Sequence, residues 1–169
     1  MRLITKITTG LIAATALVSV SLSPAEANTS FYGNGTIEAE TYTNQHGTGI
    51  GTNPGALASR YVGWINNGDW LEYDNVNFAS PVSKISIQYA SPVAQNPAGY
   101  IDVHVDSITA SPVAHIIVNH TGSNWMSYLY FQNIPLNQSI SGYHNIYLTF
   151  GSTVTSADFI NVDLFAFGS

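Results

Sequence analysis

The fold of this chain is decided by two stretches, SKISIQY at residues 83–89 and IDVHVD at residues 101–106. Polar and apolar residues alternate one by one in both, which is the period of a β-strand with one face in a core. Residues 145–150 alternate more loosely, and further strand candidates are 36–41, 61–65, 70–76, 114–119, 127–134 and 158–167. About nine short strands at this spacing predict an all-β domain, a jelly-roll β-sandwich.

Turn residues separate the predicted strands. Asn67-Gly68, Ser80-Pro81 and Ser141-Gly142 are pairs that favour tight turns between two extended runs. Residues 43–59 contain four glycines and one proline and are predicted to form the longest loop. Loops of that length in compact domains often carry function.

The first 27 residues have the pattern of a cleaved export signal. Arg2 and Lys6 precede an apolar run over residues 11–22, and a small-x-small pattern closes the segment at Ala27. The run is too short and too rich in Ala, Ser and Thr for a comfortable membrane span, although an uncleaved anchoring segment is the alternative. We therefore expect a signal peptide over residues 1–27, a single domain over residues 28–169, and secretion of that domain.

The charge of the predicted mature domain is strongly acidic. Residues 28–169 contain two basic side chains, Arg60 and Lys84, against nine acidic ones. An acidic surface without a basic patch repels nucleic acid and anionic lipid, so neither is an expected partner. The chain contains no cysteine, so the domain must be held by its core, with or without the help of a metal, rather than by disulfides.

Carboxylates lie near both ends of the predicted domain. The strand period puts Glu38 and Glu40 on one face of the first strand, and it puts Asn161 and Asp163 on one face of the last. If these strands are neighbours, three carboxylates converge and repel one another. A bound Ca²⁺ would resolve that repulsion through hard oxygen ligands. Three separate, solvated carboxylates are the alternative.

Two tryptophans lie beside turn residues, where exposed rings are more common than in mid-strand. Trp64 follows Gly63, Trp125 follows a Gly-Ser-Asn turn, and Trp70 begins a strand. Sugars present flat C–H patches with hydroxyl groups at the rim, so a sugar site needs exposed rings and hydrogen-bonding groups. For any single tryptophan a place in the core is at least as common, but two near loops, with Asn161 at a strand end, favour a binding site.

Four segments together resemble a known family. They are IEAE at residues 37–40, GWINNGDW at residues 63–70, TGSNW at residues 121–125 and NVDLF at residues 161–165. In this combination the chain from about residue 36 to residue 167 resembles a family 6 carbohydrate-binding module, a jelly-roll domain found attached to polysaccharide hydrolases.

The resemblance implies roles for particular residues. Trp64 and Trp125 stand where the family places the two rings that enclose a sugar, and Asn161 stands where it places the amide. Glu38, Glu40 and Asp163 resemble the ligands of the family's structural calcium ion.

A second site is implied more weakly, because some members bind sugar on the concave sheet face, where Trp70 would be the ring. Glu72 shares that face by strand period, but an ordinary solvated carboxylate is the preferred interpretation. The sequence also departs from the family pattern. Gly51 or Asn53 stands where several members carry a glutamate, so recognition through that carboxylate is not carried over, and Leu164 replaces a frequent tryptophan.

No catalytic arrangement stands out in the sequence. Glycoside hydrolysis needs two carboxyl groups roughly 5 to 9.5 Å apart, whereas Asp102 and Asp106 lie about 13 Å apart along one strand. Asp69 is expected to accept a backbone hydrogen bond in a turn, and His104 is expected at the surface.

The leading hypothesis is a secreted, monomeric, non-catalytic binder of polysaccharide or oligosaccharide. A small glycoside-active enzyme on the same fold and an adhesion domain with a protein ligand are the alternatives.

Overall fold

The computed structural model describes residues 35–53 and 60–169. The predictions of a signal peptide over residues 1–27 and of a domain beginning at residue 28 therefore concern residues outside the described part. Nine strands follow one another there: β1 (Thr36–Glu38), β2 (Asn44–His46), β3 (Gly49–Thr52), β4 (Arg60–Ile65), β5 (Trp70–Ala90), β6 (Gly99–Val105), β7 (Ala114–Val118), β8 (Leu129–Gly151) and β9 (Ile160–Gly168). A short 3-10 turn covers Ala39–Thr41.

The strands form two layers, and the two long strands β5 and β8 each contribute residues to both of them. Residues 70–78 of β5 pair with 142–149 of β8. On its other edge β8 pairs with β6, which pairs with β7, while β2 lies on the other edge of β5. Residues 84–90 of β5 pair with β9, which continues to β4 and β3 and also carries β1. Each long strand thus passes from one layer to the other, and every pairing is antiparallel.

The core lies between these two layers. Tyr73 on β5 packs edge-to-face against Phe165 on β9 with ring centroids 4.9 Å apart, and Phe78 packs in the same way against Phe167 at 5.1 Å. The apolar residues of the alternating stretches, such as Ile85 and Ile101, are fully buried. The prediction of an all-β jelly-roll sandwich of about nine strands is confirmed.

Three local predictions differ from the structure. Residues 44–46 and 49–52 of the expected long loop form the short strands β2 and β3, and the loop's residues 54–59 lie outside the described part. Neither Ser80-Pro81 nor Ser141-Gly142 ends a strand, because these pairs lie inside the continuous strands β5 and β8, whose register shifts between Phe78 and Val82. His104 is 7% exposed rather than at the surface, since its ring contacts the Ala110 carbonyl and the Thr149 hydroxyl.

The described residues include no helix long and apolar enough to cross a membrane.

Candidate functional site

A cleft of about 210 Å³ opens at the end of the sandwich where β4 meets the start of β9. The loop between β7 and β8 closes its other side. The structure brings together three of the predicted ligand-binding residues here, Trp64, Trp125 and Asn161, and adds three that the sequence did not indicate. Among the described residues the lining consists of Tyr61, Trp64, Trp125, Met126, Asp158 and Asn161.

A bulge in β4 places two rings in the cleft. Val62 pairs with Val162 and Ile65 with Ile160, so β4 uses one residue more than β9 over this interval. Trp64 lies within this bulge and has a left-handed backbone φ of 56°. Strict alternation would put Tyr61 and Trp64 on opposite faces, but the extra residue lets both line the cleft. The sequence pattern missed Tyr61 for this reason.

Two glycines of β3 leave room for these rings, because they have no side chain. A Cβ atom on Gly51 would lie 2.2 Å from Cζ of Tyr61, and a Cβ on Gly49 would lie 2.9 Å from Cε3 of Trp64. Gly51 is one of the two residues that best match, by the resemblance described above, the position of a glutamate in several family members. In this chain the Tyr61 ring occupies the space next to Gly51, so a longer side chain at residue 51 and the present position of Tyr61 exclude each other.

Trp125 is held by its own loop and by Asn161. The Asn161 side-chain Nδ2 donates to the carbonyl of Trp125 at 3.1 Å, across 36 residues of sequence. The backbone N–H of Met126 donates to Oδ1 of Asn124 at 2.8 Å. Trp125 nevertheless remains 36% exposed and Trp64 is 53% exposed, whereas Asn161 is only 5% exposed. Asn161 therefore positions a ring of the cleft in addition to lining it.

The turn before β5 fixes the polar rim of the cleft. Asn66 donates from its backbone N–H to Oδ2 of Asp69 at 2.7 Å, which confirms the expected role of Asp69. The Asn66 side-chain Nδ2 donates to Oδ1 of Asp158 at 2.9 Å. Two exposed indoles can cover apolar sugar faces while the Asp158 carboxylate accepts hydrogen bonds from hydroxyl groups.

The three predicted metal ligands share a second region, at the junction of β1 and β9. Glu38 ends β1 opposite Leu164, and Glu40 lies in the 3-10 turn that follows. Between Gln88 and Tyr89 the β5–β9 register shifts by one residue, so Asp163 has no partner on β5. Asp163 and Asn161 nevertheless both interact with the Tyr128 hydroxyl. Asn161 lines the cleft, whereas the charge of Asp163 interacts with Glu38 and Glu40.

Among the described residues, no basic side chain forms an ion pair with the carboxylates in this region. One oxygen each of Glu38 and Glu40 and both oxygens of Asp163 are buried without a hydrogen-bond partner among the described residues. Burial, together with the negative charges of Glu38 and Glu40, raises the pKa of Asp163 from 3.8 to about 6. Burial and the charge of Glu40 also raise the pKa of Glu38. Buried carboxylates without partners fit a hard cation as a ligand.

Side-chain placement in the described part nevertheless includes no assembled group of three or more metal-binding residues. The carboxylate chemistry fits Ca²⁺, but the three side chains are not drawn together into a closed shell.

Trp70 lies away from the cleft, on the outward face of β5. Its ring stacks on His46 with centroids 6.5 Å apart and an interplanar angle of 18°. On the same face Glu72 accepts a 2.6 Å hydrogen bond from the Tyr147 hydroxyl, so it is not the freely solvated carboxylate that was expected. The structure therefore does not bring Trp70 to Trp64, Trp125 and Asn161.

Two aspartates considered for catalysis have histidine partners. Asp102 lies 2.5 Å from Nδ1 of His115, and Asp106 lies 2.8 Å from Nδ1 of His144. Sequence patterns could not indicate these contacts, because the two partners of each pair are 13 and 38 residues apart in the chain. The sequence analysis did not identify Met126 and Asp158 as cleft residues, because isolated residues next to turns give no periodic signal.

Comparison with known proteins agrees with this architecture. Residues 38–169 match the sequence model of the family described as carbohydrate binding module (family 6). An endo-1,4-beta-xylanase A of Thermoclostridium stercorarium is 35% identical over 134 residues, which cover 78% of this chain and 18% of the xylanase. An arabinoxylan arabinofuranohydrolase of Paenibacillus polymyxa is 32% identical over 138 residues, which cover 78% of this chain and 20% of that enzyme. This chain thus spans about a fifth of the length of these relatives.

Solved structures give the same result. A β-1,3-glucan binding module of family 6 from Bacillus halodurans is similar with a TM-score of 0.72 and 26% identity, covering 82% of this chain and 98% of that one. A family 6 module from Clostridium cellulolyticum, solved in complex with xylose, gives a TM-score of 0.71 and 28% identity, with 82% and 99% coverage. The chain belongs to family 6 of the carbohydrate-binding modules.

Proposed function

We propose that this chain is an exported, non-catalytic binder that holds one sugar ring of a polysaccharide or oligosaccharide in the cleft of Trp64 and Trp125. The observation that carries the proposal is the convergence of two exposed indoles, the Tyr61 ring and the Asp158 carboxylate on one small cleft. A volume of about 210 Å³ is smaller than the pockets that enclose drug-sized ligands and suits a single ring. The export pattern of residues 1–27 supports an extracellular role.

The ligand class follows from the lining and from the relatives. No lysine or arginine is among the six lining residues, and Asp158 is acidic, so a neutral sugar fits better than a uronate or a sulphated one. The solved relatives named above bind β-1,3-glucan and xylose. Neutral glucans and xylans are therefore the first ligands to test.

A structural Ca²⁺ at Glu38, Glu40 and Asp163 is part of the proposal. It is supported by the four buried carboxylate oxygens that have no hydrogen-bond partner in the part of the chain that the structure describes. An ion there would neutralise the repulsion and would tie the first strand to the last, next to the strand that carries Asn161. Its role would be to hold β9 in place rather than to contact the sugar.

The test is retention of the purified domain on insoluble xylan and β-1,3-glucan and in affinity gels containing the soluble polymers. Trp64→Ala and Trp125→Ala should each weaken binding by about 30-fold, since a central aromatic contact is worth about 2 kcal/mol. Tyr143→Ala is the matched control, because Tyr143 is an aromatic residue that is 67% exposed and does not line the cleft. Trp70→Ala measures separately whether the outward face of β5 contributes.

Three results would contradict this function. Release of reducing sugar by the wild-type domain, abolished by carboxylate-to-amide changes, would show a glycoside-active enzyme. Unchanged retention of the Trp64→Ala/Trp125→Ala double variant would show that the cleft is not the sugar site. Absence of retention on every glycan would favour a protein ligand instead.

A further inference from the structure

Tyr128 lies behind the cleft rather than in it. It directly precedes β8 and belongs to the loop that carries Trp125 and Met126. Its ring packs beside the Tyr61 ring, with centroids 6.5 Å apart and an interplanar angle of 58°. Tyr61 lines the cleft, whereas Tyr128 is not one of the described lining residues. Tyr128 can therefore affect a bound sugar only through its neighbours.

The hydroxyl group of Tyr128 is buried without a hydrogen bond. Its oxygen is inaccessible to solvent, and no group in the described part of the chain meets it with the geometry of a hydrogen bond. An unpaired buried hydroxyl destabilises the folded state, whereas a phenylalanine would fill nearly the same space without that cost. A polar group in this situation calls for a functional explanation.

Two polar side chains of β9 interact with this hydroxyl. Burial and the negative charge of Asp163 raise the pKa of Tyr128, while the side chain of Asn161 lowers it. Because the pKa is raised overall, the phenol keeps its proton at neutral pH and can donate to Asp163. The effect of Asn161 has the sign expected of an amide N–H that approaches the phenol oxygen. A carboxylate accepts at several lone pairs, so a donor and a cation can share Asp163.

The Asn161 amide has a second N–H for this contact. Its Nδ2 atom donates to the Trp125 carbonyl at 3.1 Å, and a primary amide nitrogen carries two hydrogens. Its Oδ1 atom lies next to Gly63, where an added Cβ atom would be 2.7 Å away. One N–H can therefore stay on Trp125 while the other approaches the Tyr128 oxygen.

We propose that Tyr128 is a positioning residue of the sugar cleft. When a sugar is bound, its hydroxyl donates to Asp163 and accepts from Asn161, and the Asn161 amide then holds Trp125 against the sugar. The inference rests on the proposed sugar-binding function and adds a residue that does not touch the sugar. A sugar ring displaces water from the cleft, and hydrogen bonds strengthen where water is excluded, so both contacts should shorten on binding.

The experiment replaces Tyr128 by phenylalanine, which keeps the ring beside Tyr61 and removes only the hydroxyl. Xylohexaose and the β-1,3-linked glucose hexasaccharide are titrated into the purified domain by calorimetry. Tyr128→Phe should bind the sugar about fivefold more weakly than the wild type does. That factor corresponds to about 1 kcal/mol, the usual net contribution of one hydrogen bond.

Thermal melts without sugar distinguish positioning from a structural role. The Tm of Tyr128→Phe should equal or exceed that of the wild type, because the variant no longer buries an unpaired hydroxyl. Tyr130→Phe is the matched control, since Tyr130 is 45% exposed and is not among the described lining residues. This control should keep both the affinity and the Tm of the wild type.

NMR of the side-chain amide reports on the contact itself. Added sugar should shift the Asn161 Nδ2 signals of the wild type, because their hydrogen bonds shorten. In Tyr128→Phe the same signals should shift much less, since the acceptor of one N–H is gone.

The outcomes separate this inference from the proposed function. Unchanged affinity of Tyr128→Phe would overturn the positioning role, and loss of binding in Trp64→Ala and Trp125→Ala would still identify the cleft as the sugar site. Weaker binding with a lower Tm, and with Asn161 signals that shift as in the wild type, would show a structural role and would also overturn it. A wild type that binds neither hexasaccharide and is retained on neither polymer overturns both proposals.

Discussion

Asp163→Asn should change the stability of the domain in opposite directions with and without calcium. In the folded protein the Asp163 carboxylate is 1% exposed and has no hydrogen-bond partner among the described residues. Burial and the charges of Glu38 and Glu40 raise its pKa to about 6 from an ordinary value of 3.8. The asparagine side chain has nearly the same shape but carries no charge.

The sign follows from proton linkage. Because the pKa is raised in the folded state, the folded protein binds this proton more tightly than the unfolded chain does. The stability that protonation contributes is fully present below pH 3.8 and is lost as the pH rises through about 6. In EDTA, the wild type should therefore lose up to about 3 kcal/mol across this interval, while Asp163→Asn should lose little.

At pH 7.5 in EDTA, Asp163→Asn should accordingly be more stable than the wild type by about 1 to 3 kcal/mol, or about 4 to 12 °C in Tm for a domain of this size. Calcium should reverse the order. At a free concentration 100 times its Kd, Ca²⁺ stabilises the wild type by about 2.7 kcal/mol. The variant should be stabilised less, because it has lost a charged ligand.

Thermal melts at pH 4.5, 6 and 7.5, each with EDTA and with CaCl₂, measure both effects. Asp106→Asn is the matched control, since it removes one negative charge from an exposed residue paired with His144 and should change stability by less than about 1 kcal/mol. Equal melting temperatures of wild type and Asp163→Asn in EDTA at pH 7.5 would refute the assigned burial and repulsion. Equal stabilisation by calcium would refute Asp163 as a ligand.

Three further predictions concern the residues that shape the cleft and the core. Gly51→Ala should weaken sugar binding by about tenfold with a small change in Tm, because its Cβ would lie 2.2 Å from Tyr61 Cζ and displace that ring; unchanged affinity in calorimetry would exclude a role for Tyr61. Asp69→Ala should cost about 1 to 2 kcal/mol in urea unfolding, because the N–H of Asn66 loses its 2.7 Å acceptor, and Asp69→Asn should cost less. Tyr89→Phe should cost about 1 to 2 kcal/mol, since the Tyr89 hydroxyl accepts from the N–H of Asn119 at 2.9 Å; a variant as stable as the wild type would contradict this contact.

Strand alternation in the sequence determined the class of fold. The apolar positions of residues 83–89 and 101–106 became core positions, because a strand with one buried face permits only one register. Turn chemistry likewise identified Asp69 as a backbone acceptor. These features are local, since each depends on residues within a few positions of one another.

Tertiary structure decided the details of the cleft. A bulge at Trp64 turned Tyr61 to the same side, and the pairing of β1 with β9 brought Glu38 and Glu40 close to Asp163. The bond from Asn161 to Trp125 and the bond from Asn66 to Asp158 join residues 36 and 92 positions apart. A two-residue period contains no information on where one strand takes an extra residue, nor on which distant loop closes over a strand end. Those features are settled only when the two layers pack.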